Sequence, residues 1–374
     1  MTAQLQVGQL TFRPGQTLPT ISSNRAALAG VLLRGKSAQA APQQLPRLYA
    51  LCGEAHRLTA QLAIDAACGL RTHATTQELS SLAAETAREH VRRIWIDWPR
   101  LIGRSDKNST IAALQSLRDC PLLGESISES SPVASVAFRA WVETTVLGES
   151  VPEWLARWQT NPNECMLTWV TRAITFPAKL LRDIEYDAMQ IQTFETPLLP
   201  HADRDALYAL ARNIAEFDDF DRAPTSEGNV CETGIWTRLA GIDGNRSSAS
   251  NAWLRLGARI AELALLSGEA LDNLALGSLM LAPGEALAWS EMARGLLLHW
   301  VRLEQAAPLA NIVDYRIVAP TEWNFHPSGV VAKALAAMPT AACALSQEQA
   351  VRHIGILAAA FDPCVSYKIE FQNA

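Results

Sequence analysis

The segment SEMARGLLLHW (residues 290–300) is apolar except for Ser290, Glu291, Arg294 and His299. Read as a helix, it brings Glu291, Arg294 and Leu298 near one another, and Gly295 lets another backbone approach closely. A buried arginine in such a stretch needs an anionic or acceptor partner, and Glu291 is the internal candidate. The segment lies within an Ala- and Leu-rich tract, 284–305. A second such tract, 249–275, lies across the Pro-Gly turn of LAPGEA (281–286). Taken as helices, these two dense tracts make the fold mainly α with minor β, an α+β class.

Working outward, the helical period continues over 45–67, 82–95, 109–118, 151–158, 177–185 and 203–216. The second of these is expected to stop at the Trp-Pro of IDWPR (96–100). Ser346 and Gln349 form a capping box for a last helix, which ends near Ala360, ahead of Asp362-Pro363. LQVGQLTF (5–12) reads as a short strand, followed by a turn in FRPGQT (12–17). Loops are expected at 102–108, 124–133 and 218–229. None is a long Pro/Gly linker and there is no internal repeat, so residues 1–374 are expected to form a single domain.

The chain has 32 Lys and Arg against 38 Asp and Glu, a net charge of −6, which gives no general attraction to a phosphate backbone. Nucleic acid is not an expected partner. Residues 1–53 contain no carboxylate, only Arg13, Arg25, Arg34, Lys36 and Arg47. That basic head either docks on an acidic partner or places surface arginines around a core strand. The apolar runs fall short of the ~20 residues of a membrane span and no secretory leader opens the chain, so a cytoplasmic protein without membrane insertion is expected. Seven irregularly spaced cysteines, at 52, 68, 120, 165, 231, 343 and 364, suit free thiols better than a disulfide framework.

Three further tracts carry chemistry-bearing residues. LCGEAH (51–56) sets Cys52 and His56 at i,i+4, as a shared metal site or as a core thiol beside an imidazole. FDPCVSY (361–367) holds Cys364 behind a proline that rigidifies its approach. YRIVAPTEWNFHP (315–327) offers the Thr321 hydroxyl and Trp323-Asn324 in what reads as a rigid loop. C-x2-C, H-E-x-x-H, G-x-G-x-x-G, Walker and G-x-S-x-G signatures are all absent.

In their order, these tracts resemble the large, catalytic subunit of nickel-iron hydrogenases. ALCGEAH (50–56) resembles R-I-C-G-x-C-x-x-x-H, ETGIWTR (232–238) resembles E-x-G-x-x-x-R, and EMARGLLLH (291–299) resembles E-x-P-R-G-x-x-x-H. APTEWN (319–324) resembles V-P-T-x-W-N, and DPCVSY (362–367) resembles the terminal D-P-C-x-x-C. The resemblance implies a helical core with N- and C-terminal segments meeting at a central site. It also implies where the chain departs from the enzyme. Cys52 and Cys364 keep the first position of each C-x-x-C pair, whereas the metal-bridging positions hold Ala55 and Tyr367. The first motif's histidine falls on Thr59, with His56 three residues early.

Four thiolates hold nickel and iron in that family, so two are too few for the pair, and neither nickel nor hydrogen turnover is expected. No acidic residue in the head matches the family's proton shuttle. The chain also stops ten residues past Cys364, with Glu370 at the position of the histidine that precedes the cleaved tail of family precursors. The arginine matching Arg294 and the threonine matching Thr321, in the segment opened by Pro320, hydrogen-bond iron-bound cyanides in the family.

This combination is similar to the HupK and HoxV type of hydrogenase maturation protein, as is the EHVRRIWIDWPR tract (89–100). The similarity implies a non-catalytic scaffold. It would transiently hold or transfer an iron fragment with two cyanides and one carbonyl, Fe(CN)2(CO), anchored by Cys52 and Cys364. Arg294, Thr321 and Pro320 would contact the fragment, and His56, Glu54, Glu232 and His299 would stand behind them. Expected partners are a small hydrogenase assembly chaperone, the precursor hydrogenase large subunit and other maturation factors. The alternatives are a divergent catalytic or hydrogen-sensing large subunit with a different metal site, or a metal-free interaction protein.

Overall fold

A computed structural model describes residues 8–102, 107–123, 135–194, 204–243, 250–268, 274–339 and 346–371. The loop expected at 124–133 lies outside them, as do residues 103–106 of the loop expected at 102–108. The sequence-based helices at 109–118, 151–158, 203–216 and 346–360 correspond to Lys107–Arg118, Val151–Thr160, Arg204–Glu216 and Gln347–Phe361. The last carries the complete Ser346/Gln349 capping box. The tract 249–275 contains the helix Ala252–Leu266.

The tract 284–305 is not a helix. It forms two antiparallel strands, Glu285–Met292 and Gly295–Leu303, at the centre of a four-stranded sheet flanked by Leu276–Ala282 and Ile312–Val318. Its continuous apolarity reflects burial on both faces, which removes the alternation that marks a half-exposed strand. Ala286, Ala288, Val301 and Leu303 pack with Ala60, Ala63 and Ile64 of the helix Gly53–Ala67. Leu287, Leu296, Leu298 and Trp300 face Leu207, Leu210 and Ile214 of Arg204–Glu216. Gly284 (φ +85°) turns the chain at one end of the strand pair, and Ala293-Arg294 form a two-residue hairpin at the other.

Two other helix boundaries move. The 45–67 reading divides into Ala40–Leu48, one tight turn at Ala50–Cys52, and Gly53–Ala67. The 82–95 reading begins at Thr76 and does not stop at Trp98-Pro99, but widens into a π turn over Arg93–Asp97 and continues as Trp98–Ile102. Pro99 lies inside this continuous run and cannot donate to a carbonyl one turn back, and the π turn widens the helix directly before it.

The chain ends meet, as the resemblance implied. Gln9–Phe12 pairs antiparallel with Ile21–Ser23 and parallel with Ser366–Ile369, setting Leu10 opposite Tyr367. The basic head turns inward on this chain's own carboxylates, pairing Arg13 with Glu370, Arg25 with Glu322 and Arg34 with Asp314. These three arginines have internal partners, and Arg34 remains 67% exposed at the surface. The tryptophans go into the core: Trp98, Trp154, Trp158, Trp169, Trp253, Trp300 and Trp323 are all fully buried. No helix among the described residues is long and apolar enough to cross a membrane.

Candidate functional site

Cys52 is the N-cap of the helix Gly53–Ala67 and is 6% exposed. Its backbone has φ −142°, outside the helical region, and its N–H donates to the Tyr49 carbonyl at 3.0 Å. Glycine follows because a Cβ at residue 53 would press on the Pro46 carbonyl at 3.3 Å. The next two N–H groups, of Glu54 and Ala55, donate to the Glu85 carboxylate at 2.7 and 2.9 Å. That carboxylate caps a helix end that would otherwise present unsatisfied donors. Burial raises the Glu85 carboxyl to about 7 against the pull of those two bonds.

Cys364 follows the helix Gln347–Phe361, whose C-cap, Asp362, takes a left-handed conformation (φ +54°). The Thr321 hydroxyl donates to Cys364 Sγ at 3.1 Å and accepts from the Cys364 N–H at 3.4 Å. Thr321 sits in Pro320–Asn324, a short helix with Pro320 in its first turn rather than the expected loop. Cys52, Cys364, Thr321, His56, Arg25, Tyr49 and Glu322 line one cavity of about 560 Å³. Burial raises the Cys52 thiol well above its ordinary value; the neighbouring Cys364 adds to the shift, while Arg294 opposes it.

Arg294, at the hairpin tip, does not pair with Glu291. Its Nε donates to Asp362 at 3.2 Å and its Nη2 to Glu89 at 2.9 Å. Glu291 instead takes Arg238, a consequence of the strand geometry. Gly295 (φ +132°) does admit another backbone, as a Cβ there would lie 2.8 Å from Thr233 and 2.9 Å from the Gly234 nitrogen. Arg294 lines a separate chamber of about 20 Å³, yet its charge acts on both thiols. Its Nη1 is buried without a partner among the described residues.

The buried Asp362 carboxylate gathers Arg93, Arg259 and Arg294. Burial works against its ionisation, and the three guanidiniums outweigh burial and hold its pKa well below the ordinary range. Glu89, Arg93 and Asp97 of the 89–100 tract thus brace the approach to Cys364, with Asp97 holding Arg93 at 2.7 Å. The π turn that follows Arg92 is the local feature that presents Arg93 and Asp97.

The remaining sequence candidates divide. His56 reaches the cavity wall, stacked on Tyr49 at 4.1 Å, with Nδ1 2.9 Å from His299 Nε2. His299 Nδ1 in turn lies 2.7 Å from the Tyr315 hydroxyl. Burial lowers His56 to about 3 and His299 well below its ordinary value, so both imidazoles are neutral. Glu232 pairs with Arg255 at 2.9 and 2.7 Å on the small chamber, away from the main cavity. Glu54 turns outward to Arg57. Ala55 is wholly buried, Thr59 bonds Ser290 at 2.8 Å, and Tyr367 stacks on Phe12 at 4.7 Å, so these three positions are filled by packing.

Sequence reasoning missed Arg25 and Glu85, whose partners lie far along the chain. Among the described residues no three His, Cys, Asp or Glu side chains gather closely enough to hold a metal ion.

Comparison with known proteins agrees with this architecture. Residues 273–369 match the family model described as nickel-dependent hydrogenase. Over 92% of each chain, the fold is similar to a nickel-iron-selenium hydrogenase from D. vulgaris Hildenborough (TM-score 0.55, 15% identity). It is likewise similar to an NAD+-reducing nickel-iron hydrogenase (TM-score 0.54, 16% identity, 92% of each chain). The chain is 49% identical to hydrogenase expression/formation protein HoxV of Cupriavidus necator, over 98% of this chain and 96% of that one. It is 31% identical to hydrogenase expression/formation protein HupK of Bradyrhizobium diazoefficiens, over 92% and 90%. The chain therefore belongs to the HoxV/HupK family of hydrogenase expression/formation proteins, on a nickel-iron hydrogenase large-subunit fold.

Proposed function

We propose that this protein is a non-catalytic scaffold of hydrogenase maturation that transiently holds an Fe(CN)2(CO) fragment as cargo between Cys52 and Cys364. One observation carries the reading: two thiols line one cavity, where no three His, Cys, Asp or Glu side chains among the described residues gather to hold a metal by themselves, within range of a buried guanidinium with an unmade hydrogen bond. Iron already carrying three diatomic ligands needs few donors from protein, and soft thiolates suit it. Loading releases the thiol protons, because the thiolate is the ligand. Arg294 Nη1 is a donor for a cyanide nitrogen, and the Thr321 hydroxyl is a second once the fragment draws Cys364 away. Pro320 fixes the start of the turn that presents Thr321.

Ala55 and Tyr367 offer no thiolate to bridge a second metal, so the reading includes no nickel and no hydrogen turnover. It places the protein in the cytoplasm with the precursor large subunit, a small assembly chaperone and other maturation factors as partners. The test is hydrogenase assembly in cells whose own copy is replaced by the C52A/C364A double variant. Lost assembly at normal protein level is expected. Full assembly would overturn the cargo role and leave a metal-free interaction protein.

A further inference from the structure

The cavity arginines are not equivalent. Arg34 is 67% exposed and pairs with Asp314, while Arg222 is 62% exposed and pairs with Asp219. Arg316 is held by Asp314, Asp218 and two backbone carbonyls, of Ile214 and Phe217. Arg25 differs: it is 14% exposed, lines the cavity shared by the two cysteines, and lies within electrostatic range of both. Its Nη1 donates to Glu322 Oε1 at 2.5 Å, while Glu322 Oε2 is buried without a partner among the described residues. Glu322 directly follows Thr321, the residue bonded to Cys364.

The arm that carries Arg25 is built to admit it. Gly8 (φ +104°) passes so close that a Cβ there would lie 2.6 Å from Arg25 Cα and Cγ. Burial works against the Arg25 charge, and Glu322 together with the smaller pulls of Cys364, Tyr49 and Cys52 outweighs it, so the guanidinium stays charged beside the thiols. A charged, planar donor that is mostly buried is matched to an anionic acceptor, and the bond to Glu322, the one its side chain makes among the described residues, leaves most of its five N–H groups available.

We infer that Arg25 is an anion-recognising residue of this cavity, a second guanidinium beside Arg294 that donates to a metal-bound cyanide, with Glu322 holding it in place between occupants. The inference deepens the cargo reading and rests on it for the identity of the ligand. Its test does not require cargo. Hexacyanoferrate(II) is an inert cyanometallate that exchanges no ligand with thiols, so its binding reports hydrogen-bond and charge recognition alone. The net −6 of the chain gives it no general attraction.

Calorimetry with purified protein is expected to show binding that weakens about tenfold in R25A, the loss of one charge-assisted bond. E322Q, which frees the guanidinium, is expected to bind more tightly than wild type. No binding by wild type would overturn the inference, as would an R25A affinity equal to wild type. If R25A does not fold, E322Q decides, and no gain there overturns it. Failure of the cargo reading shows separately, in the C52A/C364A assembly assay.

Discussion

Asp362 is the residue on which Cys364 and Arg294 both depend, and replacing it by asparagine tests the buried charge network. Its carboxylate is 1% exposed and faces Arg294 Nε and Arg259 Nη2, each at 3.2 Å, with Arg93 as third partner. Asparagine keeps the shape and removes the charge, leaving three buried guanidiniums with Glu89 and Asp97 as their remaining counter-charges. Breaking a buried pair costs about 3–5 kcal/mol, a large part of the ~5–15 kcal/mol by which a typical protein is stable. In urea the D362N midpoint is expected to fall with an unchanged slope.

A surface control, D219N, whose carboxylate is 85% exposed and pairs with the 62% exposed Arg222, is expected to lose at most about 1 kcal/mol. The pH dependence gives a second reading. The folded pKa of Asp362 is held below its ordinary 3.8, so its contribution is complete above that value and is lost as pH falls through the folded pKa. The gap between wild type and D362N should therefore be constant from pH 5 to 8 and narrow under acid, on the order of the pKa values involved. A D362N protein within 1 kcal/mol of wild type, on the order of a surface pair, would refute the network.

Two further perturbations follow from the packing. His56 is held near 3 against an ordinary 6.5, so its neutral form contributes stability that is full above pH 6.5 and is lost as pH falls toward 3. The loss from this group at pH 5 is about 2 kcal/mol, and denaturant titrations at pH 7 and 5 should show a smaller drop in H56Q than in wild type. In G355A the new Cβ would lie 2.1 Å from the Leu101 carbonyl oxygen, so the helix Gln347–Phe361 must shift. A loss of about 1–3 kcal/mol is expected by thermal unfolding, and an unchanged melting temperature would show that the contact relaxes freely.

Where local chemistry decided the conformation, the sequence was legible. Ser346 and Gln349 sit three residues apart and cap the helix they announced. Residues 285–303 misled for a physical reason: a strand buried on both faces loses its alternation and reads like a buried helix. The same error paired Arg294 with Glu291 instead of Asp362. The meeting of Cys52 and Cys364 came from the order of family motifs, because no periodicity carries a contact across most of the chain. Arg25 stayed hidden since its carboxylate partner lies 297 residues away. The 89–100 tract stood out as a pattern, but only the π turn and the Asp362 contacts give it a role.

The central claim is that Cys52 and Cys364 together hold an iron fragment with cyanide and carbonyl ligands. The direct measurement is the infrared spectrum of protein purified without oxygen from cells making the hydrogenase. The account predicts two cyanide bands and one carbonyl band on wild type, with both classes lost in C52A and in C364A. Bands that persist unchanged in both variants, or a wild-type protein that shows none, would contradict it.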